Sequence, residues 1–371
     1  MVTSVQSKLK GANMLVIIVS IVISLILISF IIFPPSSGKL KPWKDKNGKV
    51  LEDSIAEKIY VEINGVHQGM IIKGESIKSP VLLFLSGGPG IPEYILAHEY
   101  PTGLEKEFIV CYWDYRGTGL SYRSISTIND MSSEQYIADA IAVTTYLKER
   151  FCREKIYLMG HSFGTSIGIK TAFQSPELFY AYIGMSQITN QPESEMEAYT
   201  YMLRQYKKAG NAGKVKKFLQ YPIMEKKEAL DQYLSSSLRD TAMHELGVGT
   251  MHNMHSVYRG IFFPSLRIKE YTQSERINIW RGKFRAGKSE VAKHAFAFQA
   301  YQEVPALSIP VYFLAGKYDY TCCYSLQKKY SEQLSAPVKG FYTFENSAHS
   351  PLFEESEKVI DVLRYDVLNR G

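Results

Sequence analysis

The chain has 371 residues, 45% of them hydrophobic and 22% charged. That balance excludes a disordered or fibrous polymer and allows a large core, built as one domain with an insertion or as two smaller ones. The formal charge of +6 is modest for this length and compatible with an anionic surface or with no such partner.

Residues 1–13 are a short basic tail carrying Lys8 and Lys10. Residues 14–33, MLVIIVSIVISLILISFIIF, hold no charge over twenty positions. At ~1.5 Å per residue that is the length a helix needs to cross ~30 Å of hydrocarbon. A secretory signal core is shorter, ~7–15 residues, and ends at a small-residue cleavage site. Here the run meets Phe33-Pro34-Pro35, so an uncleaved membrane anchor is expected. Lys39, Lys41, Lys44, Lys46 and Lys49 follow it, which by charge count would keep the body cytoplasmic. The basic tail ahead of the apolar run is that of an export signal, and an exported, membrane-tethered body is the expectation. Residues 34–54, rich in Pro, Ser, Gly and Lys up to Gly48, read as a solvated linker.

The folded body is expected over 55–189 and 305–371. Ile59–Ile63 and Val66–Ile72 flank Asn64-Gly65, a hairpin signal because this pair tolerates the positive φ of a tight turn. Val81–Leu85 and Phe108–Trp113 are unbroken apolar runs, the mark of strands covered on both faces. Ser132–Phe151 opens with a capping-box pair, Ser132 and Gln135, and repeats Ile137, Ile141, Thr144 and Leu147 along one helical face. Alternation of this kind implies a mostly parallel sheet with helices on both faces.

Two glycine-rich loops follow these strands, at the carboxyl edge where a parallel sheet places its chemistry. In Ser86-Gly87-Gly88-Pro89-Gly90, Gly88 is the candidate for one oxyanion-hole amide, although glycine and proline also mark simple turns. In Asp114-Tyr115-Arg116-Gly117-Thr118-Gly119-Leu120-Ser121, Asp114 and Arg116 are expected to form a buried structural pair. The apolar run Ile156–Met159 then enters Gly160-His161-Ser162-Phe163-Gly164, a nucleophile elbow that lifts the Ser162 hydroxyl above the sheet edge and offers the Phe163 amide as the second oxyanion donor. His161 is expected to pack or hydrogen-bond locally. Cys111, Cys152, Cys322 and Cys323 have no metal-ligand or disulfide pattern and read as free thiols.

Gly87-Gly88-Pro89-Gly90, Asp114-x-Arg116-Gly117-x-Gly119-x-Ser121 and Gly160-His161-Ser162-Phe163-Gly164, in this order and at these separations, resemble the prolyl iminopeptidase branch of the α/β-hydrolases. The resemblance covers roughly residues 59–186 and resumes at Ile309. It implies an α/β-hydrolase fold; residues 190–304, which interrupt the sheet pattern, are too long for a connection, and their periodic polar-aromatic composition suggests lid helices over the active site. Ser86 and Tyr115 stand where family members often carry His and Gln, which departs from the pattern of strict proline specificity. The resemblance also makes the acidic residues that enter the lid, Glu193, Glu195 and Glu197, candidates for holding a peptide's free amino terminus; a solvated helix start favoured by the macrodipole is the bland alternative. Tyr199, Tyr201, Tyr206, Trp280, Phe296 and Phe298 could wall a pocket or fill helical core.

A hydrolase of this type orders its triad nucleophile, acid, histidine. Asp319, after the apolar run Ile309–Gly316, occupies the position where the family keeps its acid, and His349, after Phe341–Phe344, would be the base. Asp319 would hold the imidazole tautomer while His349 takes the Ser162 proton and returns it to the leaving group. His244-Glu245 with His252 and His255 lacks zinc spacing, the basic stretch 267–293 is interleaved with acids, and no phosphate loop, dinucleotide fingerprint or nucleic-acid module is present. The reading is a membrane-anchored serine hydrolase that uses no cofactor. It takes a small molecule or short peptide and acts as an aminopeptidase through an acyl-enzyme. A carboxylesterase or lipid-directed esterase with the same triad, and a non-catalytic binding module, are the alternatives.

Overall fold

The computed structural model describes Met14 and residues 17–24, 30–31, 33–123, 130–226 and 228–370. Asn64 and Gly65 reverse the chain with φ of 47° and 75°. They join β1 (Ile55–Ile63) to β2 (Val66–Gly74) in the register Ile63↔Val66, as the two-residue turn requires. The remaining strands are β3 (Val81–Leu85), β4 (Ile109–Trp113), β5 (Ile156–His161), β6 (Phe179–Met185), β7 (Val311–Gly316) and β8 (Lys339–Phe344). They form one sheet in the order β1-β2-β4-β3-β5-β6-β7-β8. The β1–β2 and β2–β4 pairings are antiparallel and all others parallel.

The central strands are apolar throughout because they face two cores. Val81, Leu83 and Leu85 of β3 join one, with Ile137 and Ile167; Leu82 and Phe84 point the other way, into a core with Leu352 and Val359. Helices α1 (Glu93–Glu99), α2 (Ser133–Arg150) and α3 (Phe163–Gln174) connect these strands. After β3 the chain moves to one side of the sheet and after β5 to the other. A crevice therefore opens between the carboxyl ends of β3 and β5, where an α/β sheet binds its ligand.

Between β6 and β7 lies a helical insertion containing α4 (Gln191–Lys208), α5 (Ser237–Glu245) and α6 (Gln273–Ala286). Its two ends meet at the isolated bridge Asn190↔Gln299 and the bond from the Ala300 amide to the Thr189 carbonyl, 2.8 Å. Tyr199, Tyr206, Phe218 and Tyr233 give it a core of its own, and Phe298 packs into the main core. Of the aromatic residues considered as pocket walls, Trp280 is the one that lines the Ser162 cavity.

Several expectations are corrected here. Among the described residues no helix is long and apolar enough to cross a membrane, so the anchor over 14–33 and the membrane-tethered localisation built on it do not stand. The basic tail 1–13 and much of 14–33 lie outside the described residues. The stretch read as a solvated stalk is tied to the insertion, since Arg276 Nη1 donates to the Pro34 carbonyl at 2.7 Å and the Gly38 amide to the Lys269 carbonyl at 3.1 Å. Cys111, Cys322 and Cys323 are buried free thiols and Cys152 an exposed one.

Arg116 does not pair with Asp114. Its Nε and Nη2 reach Asp139 of α2 at 2.8 and 2.9 Å, and Asn64, Gln68 and Gln135 donate to the same carboxylate at 2.7–2.8 Å. Gln135 is thereby drawn away from the reciprocal half of a capping box, although Ser132 still accepts from its amide. Asp114 accepts from the Leu120 amide at 2.7 Å, and burial pushes its pKa up to about 7. A fully buried carboxylate with four side-chain donors is costly to leave unpaired. Arg116→Ala should therefore lower unfolding free energy by ~3–5 kcal/mol, measured by denaturant titration.

Candidate active site

The sharp turn at Ser162 follows from how closely three backbones approach. Ser162 has φ 53° and ψ −119°, a left-handed conformation costly for a non-glycine residue. It is held by its amide bond to the Met185 carbonyl, 2.9 Å, and by the Thr165 amide on its own carbonyl, 2.8 Å. A Cβ at Gly164 would lie 2.2 Å from the Leu85 carbonyl oxygen, and one at Gly160 2.7 Å from the Gly164 oxygen. Only glycine fits either place. The helix starting at Phe163 leaves its first amides at the crevice, where a helix N-terminus favours negative charge.

Asp319 and His349 arrive from the ends of β7 and β8. The His349 Nδ1 lies 3.0 Å from both carboxylate oxygens of Asp319, which is buried. Amides of Thr321 and Cys322 donate to Asp319 Oδ1 at 2.9 Å, and Gln327 Nε2 to Oδ2 at 3.0 Å, so the carboxylate is fixed in position. The His349 carbonyl accepts from Ser186 Oγ at 2.8 Å. Ser162 and His349 line the same cavity, though no hydrogen bond between them is formed among the described residues. Such contacts are often long before substrate arrives and close in the complex.

A second ion pair, which the motifs did not reveal, ties these loops together. His161 Nδ1 lies 2.8 Å from Glu93 Oε1, and its Nε2 lies 2.9 Å from the His349 carbonyl. A carboxylate oxygen at Nδ1 and a carbonyl oxygen at Nε2 favour the charged form of the ring. Burial pulls its pKa down, but the Glu93 charge and hydrogen bond together with the His349 carbonyl outweigh this and leave it raised. The other Glu93 oxygen accepts from the Gly87 amide at 3.1 Å. One carboxylate thus holds the glycine loop, and its partner holds the backbone of His349.

The two departures from the family pattern also have structural work there. Ser86 Oγ accepts from the Glu93 amide at 3.1 Å, and the Tyr115 hydroxyl donates to the Ser86 carbonyl at 2.9 Å. Gly88, at φ 115°, takes a conformation that side chains resist; its carbonyl accepts from Lys283 Nζ. Phe163 is buried, with its ring edge-on to Tyr115.

The cavity, about 250 Å³, is bounded by Gly87, Gly88, Ser162, His349, apolar side chains, and the insertion's Arg239, Asp240, Trp280 and Lys283. The three lid acids are distributed differently. Glu193 and Glu197 border another depression beside Tyr201 and Tyr320, and Glu197 accepts from Ser325 Oγ at 2.6 Å. Glu195 is buried and accepts two bonds from Arg239, 2.5 and 2.6 Å, so it meets the cavity only through that guanidinium. Glu193 and Glu197, four residues apart, share one helix face, and Glu195 between them turns to another, which the acidic composition alone did not disclose. A larger cavity of about 600 Å³, bordered by Tyr100, Met254 and Phe353, contains none of the predicted catalytic residues.

This sheet, elbow and pair of loops define an α/β-hydrolase enzyme. The family model described as serine aminopeptidase S33 matches residues 104–356. The probable aminopeptidase YbaC of Bacillus subtilis (strain 168) is 33% identical over 304 residues, spanning 81% of this chain and 93% of that relative. The chain belongs to the serine aminopeptidase S33 family. Among solved structures, proline iminopeptidase of Mycobacterium smegmatis has a TM-score of 0.59 at 14% identity, covering 84% of this chain and 98% of that one. An esterase of Exiguobacterium antarcticum has a TM-score of 0.53 at 14% identity over 84% and 100%. At such identities these two likenesses speak for the fold alone.

Glu93 borders the cavity with both carboxylate oxygens engaged, by His161 and by the Gly87 amide, and positioning is the role expected of it. Glu93→Gln should lower kcat by up to ~10²-fold with little change in KM, as expected of misplaced groups, and should slow fluorophosphonate inactivation in parallel. An unchanged inactivation rate in folded variant would remove that role. Glu354 Oε1 holds the Ala348 amide at 2.9 Å, and burial raises this carboxyl from 4.5 to about 7. A carboxyl raised on folding contributes stability that is fully present below about pH 4.5 and lost as pH rises through about 7. Thermal unfolding of Glu354→Gln across that window should show a flatter pH dependence than the parent.

Proposed function

We propose that the protein is a serine hydrolase of aminopeptidase type that releases N-terminal residues from short peptides. The observation carrying this reading is the Asp319–His349 hydrogen bond facing a cavity that also holds Ser162 at a strained elbow. Ser162 Oγ attacks the scissile carbonyl as His349 Nε2 takes its proton, and Asp319 stabilises the imidazolium. The oxyanion is received by the amides of Gly88 and Phe163, each worth ~2.7–4 kcal/mol of transition-state stabilisation in comparable sites. Collapse of the tetrahedral intermediate expels the amine, which takes the proton from His349. Water then attacks the ester at Ser162 by the same route in reverse roles and frees the acid.

Residues 190–304 act as the lid of this site. Glu195 and Asp240 both pair with Arg239, at 2.5 and 2.7 Å, and of these two lid acids Asp240, at the cavity edge and mostly exposed, is the one that would share its charge with a substrate ammonium. Carboxylesterase activity is the second reading, favoured by the position of Glu193 and Glu197 outside the cavity.

Fluorophosphonate should label the native chain and not Ser162→Ala. A folded native chain that resists labelling would instead be a non-catalytic module. On a panel of aminoacyl-arylamides and acyl esters, the peptidase reading requires arylamide turnover; brisk ester turnover with none of the arylamides rejects it in favour of the esterase.

A further inference from the structure

The Ser162 cavity holds a cation whose counter-charge the described residues do not supply. Lys283 projects from α6, and that helix is seated where it can hardly shift. A Cβ at Gly282 would lie 2.6 Å from Thr118 Cα, and one at Gly90 2.9 Å from Ala286 Cβ. The helix therefore rests directly on the two glycine loops, and Lys283 is built into the cavity wall instead of swinging over it.

Among the described residues its one hydrogen bond goes to the Gly88 carbonyl, a neutral acceptor, and no ion pair includes it. Asp240, the acid whose charge it feels, is bonded to Arg239 at 2.7 Å. Arg239 itself is matched by buried Glu195 at 2.5 Å. Packing around the partly buried Lys283 side chain lowers its pKa to about 8, only partly countered by the Asp240 charge, although its bond to Gly88 remains open to solvent. The other acid on the cavity wall, Glu93, is engaged by His161 at 2.8 Å and by the Gly87 amide at 3.1 Å, and Ile91, Leu96, Met243, Val257, Ile261 and Trp280 bring no charge.

We propose that Lys283 is a specificity-determining cation that binds a carboxylate of the substrate, placed one peptide unit from the Gly88 amide. This rests on the reading of Ser162 as nucleophile and narrows it to substrates with an acidic group about one residue from the reacting carbonyl. Two sources fit that chemistry: the C-terminal carboxylate of a dipeptide, or an acidic side chain on the residue released. A cavity of about 250 Å³ lies just below the ~300–1,000 Å³ range of drug-sized ligand sites and suits a substrate of dipeptide size.

The test is equilibrium binding by calorimetry to the full chain carrying Ser162→Ala, which leaves the cavity unreacted. Alanyl-leucine against alanyl-leucinamide reads a carboxylate on the leaving side; glutamyl-leucinamide against glutaminyl-leucinamide reads one on the acyl side. In one pair the acid should bind ~10-fold or more tightly, the scale of a charge-assisted hydrogen bond. Adding Lys283→Met should reduce that preference to within ~2-fold; Lys283→Gln, which keeps a donor for the Gly88 carbonyl, should do the same and serves if the first variant fails to fold. Equal binding in both pairs, binding of neither acid, or a preference that survives in the folded double variants overturns the proposal. Failure of the hydrolase reading is seen separately, as absence of fluorophosphonate labelling in the native chain.

Discussion

A buried imidazole set between a carboxylate and a carbonyl oxygen binds the carboxyl edge of the sheet together. His161 sits one residue before Ser162, and its ring joins Glu93 on one side to the carbonyl of His349 on the other. Glu93 in turn holds the amide of Gly87. The strand leading to Ser162, the glycine loop and the loop of His349 are therefore registered to one another by a single buried His161–Glu93 pair. In a low-dielectric interior such a pair is stable only when every donor and acceptor is matched, which makes its geometry stiff.

Around that link, close backbone packing sets the rest. Glycines at 160 and 164 bring β3, β5 and α3 nearer than any side chain would allow, and Gly316 lets the base loop pass against the end of β7. The sheet supplies rigidity through two cores fed by alternate residues of the same strands. Loops at its carboxyl edge can then carry strained or positive-φ residues, because the surrounding packing over-determines them.

The insertion does a different job. It has its own aromatic core and reaches the site with a few side chains from α5 and α6. Some of its charges are matched internally, as with Arg239 on Glu195, while among the described residues Lys283 and Arg276 bond only to backbone carbonyls. On the reading proposed above, selectivity would come from the charges the helices leave unmatched over the elbow and the chemistry from the sheet edge beneath.

The amino-acid sequence by itself determined the parallel sheet, the hairpin at Asn64-Gly65, the elbow, and the order in which Ser162, Asp319 and His349 appear, because each depends on local periodicity, turn chemistry or a short motif. It misassigned what depends on distant neighbours. The partner of Arg116 proved to be Asp139, and the apolar run near the start gave no helix that could span a membrane among the described residues. The links from Glu93 to His161 and from Lys283 to Gly88 join residues 68 and 195 positions apart. No spacing rule reaches that far. Whether a charge is buried, matched or left open is set by which surfaces meet when the chain folds, and only the tertiary structure decides it.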